Sequence, residues 1–366
     1  MEQPQRVIMF LIDGLHWEAP KRLNMPVFNS LRTEGAYIEQ SNMILPHHPT
    51  IGDYGRMHTT SFPNPVLQEG TLFLKTGNKM LQEMFGVHQT AFVANTTAYT
   101  SVSRGFDFNI HQNDMSDEQV VEQSIELLAH YPIKYFRIHL QNSGNQGRYL
   151  SYTNENEPYF RNIWGENSPY VKSVEEADRL LGNLVDFLKA TGKWETTLVV
   201  VSSDHGQSAQ GWHPIADPDS WTTPLLFVGP AIARDKVLPY FEHTDITPTI
   251  AALMQVNSPN TDGGAGRSRK ALLSNNSKPE QTYPEYIKII NEQINTYNLL
   301  RAEMMLRGKD NFYFSSLITY LENELLTPEP FYHHDRFTEW HRAGTTQHLI
   351  EVNQHILSQM EKELSK

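Results

Sequence analysis

Short apolar, β-rich runs that break into polar or glycine-containing turns recur along this chain, at Val7–Ile12, Thr90–Ala94, Tyr135–Leu140, Thr197–Ser202 and Pro224–Val228. Runs of this length and makeup are expected to be strands buried on both faces. Helical patterns lie between them. The clearest places Val174, Ala177, Leu180, Leu181, Leu184, Val185 and Leu188 on one stripe, with Ser173 and Glu176 spaced as a capping box before it and Gly192 as a stop after it. Strand and helix in alternation predict an α/β fold, with a mostly parallel central sheet and helices on both faces.

Two stretches interrupt this rhythm. Asn142 to Pro169 is rich in Asn, Tyr, Gly and Glu and has no period, so it is expected to be an irregular cap or loop over about 142–170. Asn257 to Pro279 carries Gly263, Gly264 and Gly266 among many Ser and Asn. It predicts a core over 1–260, a linker over 261–280 and a helical C-terminal region over 281–366. In that last region Ile287, Ile290, Ile294, Leu299 and Leu300, and later Leu349, Val352, Ile356 and Met360, fall at helical spacing. A homo-oligomer contact through these C-terminal helices is one expectation.

Composition removes several functional classes. The 366 residues hold 30 Lys and Arg against 42 Asp and Glu, a net charge of −12, so no nucleic-acid polymer is expected as a partner. The same charge leaves room for a phosphate-bearing small substrate wherever a bound metal reverses the local field. With no cysteine there is no disulfide framework, zinc-thiolate site or cysteine nucleophile. The longest apolar run, Val7 to Ile12, is six residues, against the ~20 a spanning helix needs, so no membrane span is expected. Met1-Glu2-Gln3-Pro4-Gln5 lacks the basic and apolar regions of a signal peptide. The compartment stays open: cytoplasmic, or exported where a leader has been removed.

Asp13 follows directly on the first apolar run, and Asp204-His205-Gly206 follows the run that ends at Ser202. In a parallel sheet the carboxyl ends of the strands form the binding edge, where these residues can converge. Two carboxylates and an imidazole brought together there would repel and desolvate badly without a cation among them. The plainer alternative is that each Asp caps the next helix.

From these motifs onward the chain resembles the alkaline phosphatase superfamily, in particular its branch of type I phosphodiesterases, nucleotide pyrophosphatases and sulfatases. The resemblance covers about residues 6 to 255. It rests on an ordered set: Val7-Ile8-Met9-Phe10-Leu11-Ile12-Asp13-Gly14, Pro46-His47-His48-Pro49-Thr50, Arg104-Gly105-Phe106-Asp107, Ser203-Asp204-His205-Gly206, Trp212-His213 and Thr244-Asp245-Ile246-Thr247-Pro248-Thr249. It implies an alkaline phosphatase-like core in which Asp13, Thr50, Asp204 and His205 hold one metal and Thr50 is the nucleophile. A threonine hydroxyl becomes effective at neutral pH only when a cation stabilises its alkoxide. The donor set suits zinc first, with manganese, calcium or magnesium as alternatives.

The second metal of the phosphodiesterase branch is where the chain departs. Where that branch carries Asp-x-x-Gly-His, this sequence has Gln141-Asn142-Ser143-Gly144-Asn145, and only the later ligand remains, as His213. Neutral amides bind transition ions poorly. One firm metal is therefore expected, beside a polar pocket in which Gln141 and Asn145 contact substrate oxygens and His213 serves as hydrogen-bond donor or general acid. Asn64, in Phe62-Pro63-Asn64-Pro65, resembles a phosphoryl-binding Asn of the branch, but its spacing also suits a turn former.

The expected activity is metal-dependent hydrolysis of a small-molecule phosphate ester, of phosphodiester or pyrophosphate type. Two alternatives are a sulfatase-like or phosphonate-ester hydrolase with one metal, and a non-catalytic ligand-binding member. The sulfatase nucleophile motif, Cys/Ser-x-Pro-x-Arg, is not matched by Thr50-Ile51-Gly52-Asp53-Tyr54. His47 and His48 could line the pocket or be solvated, and Asn95-Thr96-Thr97 and Asn275-Asn276-Ser277 match glycosylation acceptors by pattern alone. Thr244-Asp245 before Ile246 is expected to start a helix.

Overall fold

The computed structural model describes residues 3–43, 66–68, 71–73, 79–214, 216–259, 266–275, 285–322, 331 and 343–366. These divide into two compact units, one of described residues up to 275 and one from 285 onward.

The first unit is built on strand β1 (Arg6–Ile12), helices α1 (Ala19–Arg22) and α2 (Pro26–Glu34), β2 (Ala36–Asn42), the short hairpin β3 (Val66–Gln68) and β4 (Thr71–Phe73), β5 (Thr90–Ala94) and β6 (Phe108–His111). It continues through α3 (Asp117–His130), β7 (Tyr135–Leu140), α4 (Asn142–Leu150), α5 (Pro169–Ala190), β8 (Thr197–Ser202), β9 (Thr222–Val228), β10 (Lys236–Glu242) and α6 (Ile246–Met254). Eight strands form one sheet in the order β10-β2-β9-β8-β1-β7-β5-β6. All neighbours run parallel except β9, which is antiparallel to both β8 and β2.

The alternation of side chains along a strand explains the two cores. From β1, Ile8, Phe10 and Ile12 pack with α2, α3 and α5 on one face. Val7, Met9 and Leu11 pack with α6 on the other. The amphipathic stripe of α5 buries Val174, Ala177, Leu180, Leu181, Leu184, Val185 and Leu188, as its spacing predicts.

Two local expectations are corrected. Helix α5 begins at Pro169, capped by Ser168, whose hydroxyl accepts from the Val171 N–H. Ser173 lies inside the helix with its hydroxyl on the Tyr170 carbonyl, so Ser173 and Glu176 form no capping box. The proline, pre-set for a first helical turn, starts the helix earlier. Residues 142–150 are helical rather than irregular. This short helix buries only Ser143, Gly147 and Leu150, too few apolar positions to show a period. Thr244-Asp245 does precede a helix, α6 starting at Ile246 as expected; the Asp245 side chain makes no cap bond to it, and its carboxylate accepts from the Arg267 N–H and pairs with Arg269.

The second unit contains α7 (Tyr286–Gly308), α8 (Phe312–Glu322) and α9 (Thr346–Leu364). Met304, Phe314, Leu317, Ile318, Ile356, Met360 and Leu364 form its own core. Asn353 and Gln293, both buried, join α9 to α7 by a 3.0 Å hydrogen bond. Among the described residues no helix is long and apolar enough to cross a membrane.

Candidate metal centre

The sheet register brings the site together. In β1, Leu11 pairs with Ser202 of β8 and with His139 of β7. Two residues further on, just past the ends of β1, β8 and β7, lie Asp13, Asp204 and Gln141 at the carboxyl edge of the sheet. The turn after Asp13 uses Gly14 at φ +59°, a left-handed conformation that glycine adopts without steric cost. Gly144 at the start of α4 is required for a different reason: a Cβ there would lie 1.6 Å from Asp13 Oδ1, so only glycine lets the helix approach the carboxylate.

Asp13, Asp204 and His205 each offer a ligand atom, all within 4.8 Å of one another, and all three side chains are buried. His205 Nε2 stands 3.4 Å from Asp204 Oδ2 and 3.9 Å from Asp13 Oδ1. His205 Nδ1 lies 2.7 Å from the Gly206 carbonyl, which can only accept, so Nδ1 carries the proton. In the neutral ring Nε2 then turns a lone pair toward two carboxylates. A metal-ligating histidine is oriented in this way by a carbonyl behind it, and a divalent cation fits this donor set.

The surrounding side chains fix the carboxylates. Tyr99 donates to Asp204 Oδ2 at 2.7 Å and also approaches Asp13 Oδ2 at 3.3 Å. His139, wholly buried in β7, places Nε2 3.3 Å from Asp13 Oδ2 and 3.2 Å from Gln141 Oε1. Ser143 donates to the Asp13 carbonyl at 2.5 Å. Burial pushes the Asp204 carboxyl up, but the imidazoles of His205, His139 and His213 and the Tyr99 hydroxyl outweigh it and hold Asp204 below the usual carboxylate range.

Behind this shell, Asn95 accepts from the Gln141 N–H at 2.8 Å and donates to Asp117 at 2.6 Å. Burial raises the Asp117 carboxyl. Asn95 is therefore built into the site's support and only 8% exposed, which removes it as a glycosylation acceptor. Asp107 of the Arg-Gly-Phe-Asp motif is likewise structural, accepting from the backbone N–H groups of Gln89 and Thr90 at the start of β5.

Of the residues singled out from the sequence, Asp13, Asp204 and His205 come together, and the His213 ring lies 4.1 Å from that of His205. Gln141 is tied to His139 and Asn95, while Asn145 is exposed on α4. Thr50, Asn64, His47 and His48 lie outside the described residues. Sequence reasoning missed His139, Tyr99, Asn95, Asp117 and Gln207, whose buried amide nitrogen has no hydrogen-bond partner among the described residues. One signal was present for His139: an imidazole inside an otherwise largely apolar strand.

The fold is that of the alkaline phosphatase superfamily, whose members use divalent metals. Within it, the Sulfatase family model matches residues 70–256, about half of the chain, and the chain belongs to that family.

Two curated relatives, each named GPI ethanolamine phosphate transferase 2, come from Aspergillus oryzae and Candida albicans. The first is 31% identical over 110 residues, covering 26% of this chain and 13% of that protein. The second is 30% identical over 112 residues, covering 27% and 12%. The chain thus spans about an eighth of the length of these relatives. Among solved structures, a 2-O GAG sulfatase is similar at 16% identity and TM-score 0.60, covering 77% of this chain and 76% of that one. The phosphonate monoester hydrolase from Silicibacter pomeroyi has 14% identity and TM-score 0.57, covering 77% and 78%. Murine ectonucleotide pyrophosphatase/phosphodiesterase 5 in complex with AMP has 12% identity and TM-score 0.50, covering 70% and 96%. At these identities the likeness is one of fold.

Proposed function

We propose that the chain is a metal-dependent phosphoesterase that cleaves, or transfers from, a phosphodiester or pyrophosphate linkage, with Asp13, Asp204 and His205 as metal ligands and Thr50 as ligand and nucleophile. The observation that carries this reading is the buried convergence of Asp13, Asp204 and His205 at the ends of two paired strands. A bound divalent cation, zinc first, supplies the positive charge that makes a threonine hydroxyl an effective nucleophile at neutral pH. Thr50 Oγ attacks phosphorus, the alcohol departs with a proton, and water or a second alcohol then releases the phosphoryl group from Thr50. His213, beside His205, donates on the leaving-group side. The name of the two curated relatives, an ethanolamine phosphate transferase, supports phosphoester transfer as much as hydrolysis.

A sulfate or phosphonate ester is the second reading, favoured by the family match. The absence of the Cys/Ser-x-Pro-x-Arg motif at Thr50 weighs against the sulfate route. Parallel assays with aryl phosphodiester, phosphomonoester, phosphonate and sulfate substrates, with and without chelator, separate these readings. Thr50→Ala is expected to lower diester turnover at least ~10³-fold, while Asp13→Asn removes metal binding. Unchanged turnover in Thr50→Ala would overturn the nucleophile, and parent-like metal affinity in Asp13→Asn the centre.

A further inference from the structure

A column of flat side chains runs from the metal centre to the surface. His205 is buried, and the His213 ring lies 4.1 Å from it. Trp212 stacks on His213 at 4.4 Å and an interplanar angle of 20° and is half-buried. The exposed Arg148 sets its guanidinium carbon 4.8 Å above the Trp212 ring centroid.

The backbone holds this column under strain. Trp212 has φ +65°, a left-handed conformation that a bulky residue rarely adopts. It is kept there because the Trp212 N–H donates to the Gly147 carbonyl at 3.1 Å and its own carbonyl accepts from Ser208 at 2.9 Å. The loop is thereby docked on α4, which carries Arg148 in its last turn. A residue forced into such a conformation between the His213 imidazole and an exposed cation points to a functional placement of both side chains.

Among the described residues no carboxylate pairs with Arg148, although the chain carries a net charge of −12. Stacking on the indole orients the guanidinium without neutralising it, and its planar N–H fork stays suited to bidentate contact with an oxyanion.

We propose that Arg148, held by Trp212, is a specificity determinant that binds a second anionic group on the leaving-group part of the substrate. The preferred ester then has a departing alcohol that itself bears a carboxylate, phosphate or sulfate. This rests on the phosphoesterase reading, which places His213, and so the groups beyond it, on the leaving-group side.

The test is calorimetric binding of three non-hydrolysable probes to the full chain in millimolar manganese or zinc: benzylphosphonate, 4-carboxybenzylphosphonate and p-xylylenediphosphonate. The parent is expected to bind the two doubly anionic probes about five- to tenfold more tightly than benzylphosphonate. Arg148→Met is expected to bring the affinity ratio between the doubly anionic probes and benzylphosphonate down to about one, and Arg148→Lys to retain part of it as a point charge. A preference for only one of the two anionic probes identifies which oxyanion the fork takes. Equal affinity of the parent for all three probes, or a preference that survives in Arg148→Met, overturns the proposal and leaves the metal centre standing. A parent that binds no benzylphosphonate overturns the phosphoesterase reading as well.

Discussion

His139 shows how much of the site depends on a residue that would touch no metal. Its Nε2 lies within 3.3 Å of both Asp13 and Gln141, and it is completely buried. Partners that orient a ligating carboxylate commonly contribute 10–100-fold in metal affinity. His139→Ala is expected to weaken metal binding by about that factor, and His139→Gln, which keeps an N–H donor, to recover part of it. Metal titration checks this, and comparing the metal-free melting temperatures of the two variants separates orientation from folding. A second residue-scale expectation concerns His111, which burial, followed by Arg137 and His139, pushes down to about 4. Between that value and 6.5 the unfolded chain binds the proton that the folded chain refuses, so stability rises with pH across this window and falls on acidification. The effect is on the order of 2–3 kcal/mol. Denaturant midpoints measured from pH 4 to 7 should show a flatter slope in His111→Gln.

At the scale of elements, Asp178 of α5 joins two helices distant in sequence. Its carboxylate accepts from the N–H groups of Val27 and Phe28 at 3.0 and 2.8 Å, capping the first turn of α2. Asp178→Ala is expected to cost about 1–3 kcal/mol, readable as a lower denaturant midpoint at unchanged m-value. The strands legible in the sequence are those with continuous apolar runs, buried on both faces. β6 and β10 escaped notice because they are the two edges of the sheet, where burial is partial and β10 even carries an exposed Pro239. β2 was hidden by Glu39 and Gln40 in its middle. The reversal of β9 leaves no local trace, because strand direction is set by pairing and not by composition. For the candidate site the division is similar. Asp13 and Asp204-His205 follow directly on apolar runs and are legible there, whereas Tyr99 and Asn95 lie in a turn-rich stretch and owe their roles to contacts formed only in the folded sheet.

For the molecule as a whole, metal binding is expected to report on folding of the first unit. A cation at one hundred times its dissociation constant should stabilise that unit by about 2.7 kcal/mol, and a chelator should remove the gain. The helical unit has a separate core. Met360, almost fully buried there, is expected to cost about 2–4 kcal/mol as Met360→Ala while leaving metal affinity unchanged. Calorimetric melting and metal titration of the same variant check both parts.

Since Leu11 of β1 pairs directly with Ser202 of β8, the first and last candidate ligands meet only after nearly two hundred intervening residues have been synthesised. The cluster of Asp13, Asp204 and His205 can therefore form only once His205 has been synthesised. Adding or deleting a single residue within β1 is expected to turn Asp13 away from Asp204 and His205, because a one-residue slip sends every following side chain to the other face of the sheet.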